Sequence, residues 1–153
     1  PGVSVVVVPV GGGGLVAGIA SALPGVRVVA VAPERSPALH AALAADRVVA
    51  VETASLADGL NAPFAGSHAL AVCRGRVETV LVSEDEIVAG MRLLYARAKL
   101  ACEPAGAAGV AALLAGKVDA VRGERVAVVV SGGNVAARTA SAILAGDEGW
   151  NPS

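Results

Sequence analysis

Residues 5–20 read Val5-Val6-Val7-Val8-Pro9-Val10-Gly11-Gly12-Gly13-Gly14-Leu15-Val16-Ala17-Gly18-Ile19-Ala20, and the rest of the chain is organised around them. An uncharged β-branched run reads as a strand buried on both faces, as parallel strands are. It stops at four successive glycines and resumes with Leu15, Ile19 and Leu23 at helical spacing. Glycine lets a backbone take positive φ and come close to a ligand. Adjacent N–H groups in such a loop converge on an anion, and the next helix adds the positive end of its dipole. No side chain in the loop is charged, so it suits a phosphate held by main-chain donors alone.

A tight strand-to-helix turn is the plainer explanation of the glycines. One or two would serve it, and each extra glycine costs roughly 1 kcal/mol relative to alanine. The excess favours phosphate binding. The nucleotide loop G-x-x-x-x-G-K-[ST] is excluded, because no lysine follows. A dinucleotide fingerprint stays open: Gly12, Gly14 and Ala17 fit its looser form, and Glu34 falls about 20 residues on, where the ribose acid belongs.

At 153 residues the chain has the length of one domain and can bury a core. A net charge of −1 offers nothing to nucleic acid or an anionic membrane, and 2% aromatics make no base-stacking surface. Hydrophobic content of 55% raises the membrane question, since Val3 to Leu23 carries no charge. Four glycines and Pro9 in mid-segment, with no basic flank before them, argue against a span or leader. Two distant cysteines, Cys73 and Cys102, fit a reducing, cytoplasmic compartment and read as small core residues. His40 and His68 are isolated and read as surface or packing residues. The only methionine is Met91, so the chain does not begin at an initiator.

Pro24-Gly25 is a turn, and Arg27 to Val31 is a second buried strand ended by Pro33. Strand, helix, strand at this spacing is a right-handed βαβ unit. A helix from Pro37 to Ala44 is expected, N-capped by Ser36. Thr53 to Leu60 reads as an ordered loop, Ser67 to Cys73 as a short helix, and Thr79 to Val82 as a third strand. Ser83-Glu84-Asp85-Glu86 is a capping box with three acids suited to the helix dipole. Ile87, Val88, Met91, Leu94, Tyr95 and Ala98 then mark one helix face. Pro104 starts a helix of small residues that stops at Gly116. Beside it, Glu103 is either a capping carboxylate or a carboxylate near a ligand. Arg125 to Val130 is a fourth strand, leading into Ser131-Gly132-Gly133-Asn134 and a helix from Val135 to Leu144. The expected architecture is a three-layer α/β domain over residues 1–146, a mostly parallel sheet with helices on both faces, and a frayed tail over 147–153. Ligands of such sheets bind at the carboxyl ends of the strands, so both glycine loops can face one site.

The ordered series Gly11-Gly12-Gly13-Gly14-Leu15, Ala57-Asp58-Gly59, Ser83-Glu84-Asp85-Glu86-Ile87, Glu103-Pro104-Ala105-Gly106 and Ser131-Gly132-Gly133-Asn134 spans nearly the whole chain. It resembles the C-terminal half of the serine/threonine dehydratases and serine racemases, pyridoxal-phosphate-dependent enzymes of fold type II. The resemblance implies that Gly11, Gly12, Gly13, Gly14 and Leu15 hold the cofactor's phosphate. It implies that Ser131, with Gly132 beside it, meets the pyridine nitrogen, that Gly59 lies beside the ring, and that Glu103 stands at the inner end. A neutral serine partner does not force the ring to be protonated, which suits loss of a β-hydroxyl.

The departures define the rest of the reading. In that family a Schiff-base lysine in a Ser-x-Lys-x-Arg-Gly-type motif also moves the α-proton. Here only Lys99 and Lys117 occur and neither matches, so no catalytic residue is assigned and the N-terminal, lysine-bearing half is absent. The glutamate with which some relatives bind a divalent metal falls at Ala32, so no metal site is expected. Three functions compete. The first is dehydration of L-threonine or L-serine to a 2-oxo acid and ammonia, with this chain as the phosphate-gripping half, in a homo-oligomer or with the missing half. The second is a lysine-less pyridoxal-phosphate or phosphate-binding module. The third is an NAD(P) oxidoreductase fragment of Rossmann type, which leaves Ser131 and Gly59 without a role.

Overall fold

An apolar run without charge is stable only where both its faces are covered, and Val5–Pro9 (β1) takes that interior place. The computed structural model describes residues 2–119 and 123–146. In it β1 lies between Arg27–Pro33 (β2) and Val126–Val128 (β4), and Val77–Val82 (β3) lies beyond β2. All pairings are parallel, with Val7 opposite Val29 on one side and Val128 on the other. Val5 and Val7 point to one face, Val6 and Val8 to the other, and each is at most 5% exposed. Fully burying a valine stabilises by about 1.5–3 kcal/mol, so β1 anchors both layers.

Three helices cover the Val6 face: Gly14–Ala22 (α1), Ala38–Ala45 (α2) and Ser67–Cys73 (α3). Their Val16, Ala20, Leu39, Ala42, Leu70 and Cys73 pack with Val28, Ala30 and Ala32. The Val5 face receives Glu84–Leu93 (α4) and Pro104–Leu114 (α5), through Ile87, Ala108 and Ala111. Ala137–Ala145 (α6) joins α4 and α5 through Ile143, Met91 and Ala107. The three-layer α/β architecture is as expected. Layers this close need missing side chains. A Cβ at Gly90 of α4 would stand 2.9 Å from Ala107 O and Ala111 N of α5.

The structure corrects several boundaries. Ser36 does not cap α2. The helix begins at Ala38 after Pro37, without a side-chain cap, and Ser36 is buried, donating from Oγ to Leu60 O at 3.2 Å. The fourth strand has three residues instead of six, because only β1 pairs with it. Val129 N–H still donates to Val7 O at 2.9 Å before the chain leaves the sheet. The last helix starts at Ala137, Ala136 being extended. The helix after the capping box ends as a π-turn over Leu94–Ala98, closed by Lys99 at φ 56°. The tail over 147–153 lies outside the described residues.

The capping box forms as read: Glu86 N–H donates to Ser83 Oγ at 3.2 Å, and Ser83 N–H donates to Glu86 Oε2 at 2.7 Å. Lys117 Nζ donates to the same oxygen at 2.7 Å. Burial pushes the Glu86 carboxyl up, but hydrogen bonds from Lys117 and Ser83 outweigh it and hold it below the ordinary range. A carboxyl lowered in the fold contributes stability above its unfolded value, lost as pH falls through the folded one. Glu86→Gln should therefore flatten the acid limb below pH 4.5, read as Tm against pH from 6 to 3. An acid limb as steep as in the unaltered chain would show that Glu86 does not drive it.

Candidate functional site

At the carboxyl ends of β1 and β4 a cavity of about 230 Å³ is lined by residues 9–16, by Gly59 and Leu60, and by Ser131. Two glycine loops and a third, distant segment thus meet in one place. Gly13 is the N-cap of α1 in left-handed conformation, φ 95°, and α1 has no acid in its first turn. Left-handed Gly13 followed by helical Gly14 turns successive N–H groups toward one concavity. The carbonyls fix the direction. Gly12 O accepts from Gly66 N–H at 3.0 Å, and Gly13 O accepts from Ala17 N–H at 3.0 Å. Across a trans peptide the N–H points opposite to its carbonyl, so Gly13 N–H and Gly14 N–H are turned away from those partners. Among the described residues, the N–H groups of Gly11 to Gly14 find no acceptor. Gly13 is buried, and a buried N–H is rarely left unpaired.

The four glycines divide into two kinds. A Cβ at Gly11 would stand 3.0 Å from Leu60 O, and one at Gly13 would stand 2.8 Å from Ala69 Cβ on a positive φ. Packing explains those two. A Cβ at Gly12 would make only ordinary contacts, the nearest at 3.8 Å, and one at Gly14 would meet nothing within 4 Å. The fold requires glycine at neither, and a ligand lying on the loop would require both. Leu15 lines the cavity and is half exposed.

Glu103 occupies the N-cap position of α5, but its side chain accepts no capping bond. Its carboxylate lies against two glycines instead. A Cβ at Gly59 would stand 3.0 Å from Glu103 Oε1, and one at Gly132, where φ is 90°, would overlap the carboxylate. Glu103 N–H donates to Gly132 O at 3.3 Å. The capping reading of Glu103 therefore fails, and its carboxylate stands between Gly59 and Gly132. Beside it, burial and then the charge of Glu103 push the Cys102 thiol up, which leaves it inert.

Neither lysine reaches the cavity. Lys99 Nζ donates to Ala96 O at 2.8 Å, and Lys117 Nζ donates to Leu81 O at 3.0 Å besides its bond to Glu86. Glu34, the ribose acid of a dinucleotide site, stands away from the glycine loop. It lines a separate hollow with Arg35 and Glu52, its Oε1 3.8 Å from Lys117 Nζ.

The family model described as pyridoxal-phosphate dependent enzyme matches residues 1–132. The chain belongs to that family. An L-threonine ammonia-lyase from Thermotoga maritima is 43% identical over 141 residues, covering 88% of this chain and 35% of that protein. The crystal structure of a threonine deaminase from T.th. superposes with TM-score 0.81 at 34% identity, over 88% of this chain and 50% of the other. The structure of maize serine racemase gives 0.80 at 32% identity, over 91% and 45%. The chain therefore spans a third to a half of the length of these relatives. The parallel sheet with helices on both faces is the fold of fold type II pyridoxal-phosphate enzymes, as its sequence motifs implied.

Sequence reasoning missed Leu60, whose backbone forms a cavity wall, and Gly106, which brings α5 up to Ser131. A signal for Gly106 existed. Glycine inside a helix costs about 1 kcal/mol against alanine, so a glycine pair at 106 and 109 in so regular a segment marks a close approach.

Proposed function

We propose that residues 1–146 form one cofactor-binding domain of a pyridoxal-phosphate-dependent ammonia-lyase, which converts L-threonine or L-serine to a 2-oxo acid and ammonia. The observation that carries the reading is the row of N–H donors from Gly11 to Gly14 that meet no protein acceptor among the described residues, and that includes two glycines the fold itself does not need. When bound, the cofactor would supply the electron sink for β-elimination. The chain's own residues would bind and orient it. Main-chain donors and the α1 dipole would hold the dianionic phosphate, each bond to a charged group contributing about 1.5–3 kcal/mol. Ser131 would offer a neutral hydroxyl to the ring nitrogen, without forcing a proton onto it. Gly59 and Gly132 leave room for the Glu103 carboxylate, which would stand beside the ring.

The residue that moves the α-proton belongs to a longer protein, because both lysines here are engaged elsewhere. That same observation favours a second reading of the chain taken alone, as a cofactor-binding module without catalysis. Among the described residues no helix is long and apolar enough to cross a membrane. A cytoplasmic location and self-association, or pairing with a lysine-bearing half along the β4 edge, complete the proposal.

Borohydride reduction of this chain with pyridoxal phosphate tests it, with mass spectrometry to find labelled lysines and an assay for 2-oxo acid from serine. We expect no stoichiometric label and no 2-oxo acid, while a longer protein that adds the lysine gives both. Label on Lys99 or Lys117 together with product would show that the amine has been misplaced.

A further inference from the structure

We propose that Glu84 is a positioning residue for the cofactor pocket, a latch from the start of α4 to the segment that carries Gly59 and Leu60. The capping box accounts for Ser83 and Glu86 and leaves Glu84 unused. Its carboxylate does not simply face solvent as a first-turn acid would. Oε2 accepts from Leu56 N–H at 2.7 Å, and Oε1 is buried without a partner among the described residues. A buried, half-satisfied carboxylate is a liability that shorter residues suited to the helix dipole would avoid. What it holds is the reason to keep it.

The latched segment is held by one tight turn, with Leu60 N–H donating to Ala57 O at 2.8 Å and Asn61 N–H to Asp58 O at 3.0 Å, and by side chains. Asn61 Nδ2 donates to Ser55 O at 2.8 Å while its Oδ1 accepts from Ser55 N–H at 3.1 Å, as a neighbouring strand would. Ala57 N–H donates to Ser55 Oγ at 3.1 Å, and Leu60 O accepts from Ser36 Oγ. These bonds close the loop on itself and on the residues that precede α2. Glu84 is the bond that ties it to α4, 28 residues away in sequence. The loop's far side is the pocket: Leu60 O limits Gly11, and Gly59 lies against Glu103. The other end of the same helix serves the same place. Beyond the π-turn, Leu100 N–H donates to Leu94 O and Tyr95 Oη donates to Cys102 O, which brings Glu103 to Gly59. Glu84, at the start of α4, and Glu103, at the N-cap of α5, therefore hold the 55–60 segment from two sides. The inference rests on the proposed cofactor site for its purpose, and on the geometry alone for the latch.

The test uses this chain with Glu84→Ala and Glu84→Gln. Amide hydrogen exchange without ligand reads the latch, and calorimetric titration with pyridoxal phosphate reads the pocket. In Glu84→Ala, exchange over 55–60 should rise about tenfold while Ile87 to Met91 keep their protection, and the Kd should rise about tenfold. Glu84→Gln keeps an acceptor for Leu56 N–H and should restore both. Unchanged exchange over 55–60 in the alanine variant, or loss spread evenly along α4, would overturn the latch. Local loosening with unchanged affinity would overturn its positioning role. If the unaltered chain binds no pyridoxal phosphate, the proposed function falls, and the exchange result still decides the latch.

Discussion

Gly14→Val should leave the fold intact and weaken pyridoxal phosphate binding at least about tenfold. The site has an ordinary φ, and a Cβ there meets no protein atom within 4 Å. Valine is a slightly better helix residue than glycine, so Tm should move by no more than about 2 °C. Yet Gly14 lines the cavity, and its N–H has no protein acceptor among the described residues. A branched side chain there takes the space that a phosphate resting on the loop would fill. Losing one charge-assisted bond, at about 1.5–3 kcal/mol, weakens binding at least about tenfold. Gly13→Val is the less informative change, since positive φ and the closeness of Ala69 damage the loop itself. Calorimetry with thermal melts checks the prediction. Full affinity in a folded Gly14→Val variant would remove the phosphate from the start of α1.

Gly106→Ala is expected to cost both stability and the site. Its Cβ would stand 2.6 Å from Ser131 O and 3.1 Å from Gly132 O. Both are backbone atoms, so no rotamer change relieves the overlap. Forcing extra volume into a packed contact costs about 1–3 kcal/mol; overlap with two backbone oxygens lies at the upper end and exceeds the roughly 1 kcal/mol that alanine gains in a helix, and the element displaced carries Ser131. Tm should fall by several degrees, about 2–4 °C for each kcal/mol in a chain of this size, with cofactor affinity falling in parallel. Gly133→Ala is the control, for its nearest neighbour would be Ala101 O at 3.8 Å. Equal melting temperatures for the two variants would contradict the account of α5 packing.

What could be read from sequence follows from how locally each feature is determined. β1, the glycine loop and α1 were legible because charge-free β-branching, glycine and helical spacing follow one another within sixteen residues. Ser83-Glu84-Asp85-Glu86 announces its own hydrogen bonds, and Pro104 its helix start. β4 was overextended because an edge position depends on which strands lie beside it. Ser36 looked like a cap because Ser before Pro so often is one, whereas its partner, Leu60, is 24 residues away. Of the site, the glycine loop and the Ser131 loop were visible as motifs. The wall between them was not, since 55–61 takes its shape from Asn61, Ser36 and Glu84, at distances along the chain that no local pattern records.

The central claim is that bare main-chain donors from Gly11 to Gly14 grip a phosphate. Amide proton and nitrogen shifts of the labelled chain, followed during titration with pyridoxal phosphate and separately with NAD, test it most directly. The account predicts that the Gly11 to Gly14 amides move downfield together and saturate with pyridoxal phosphate, that Gly59 and Ser131 shift in the same titration, and that NAD leaves them in place. Saturable shifts with NAD reaching Glu34, and none with pyridoxal phosphate, would contradict it.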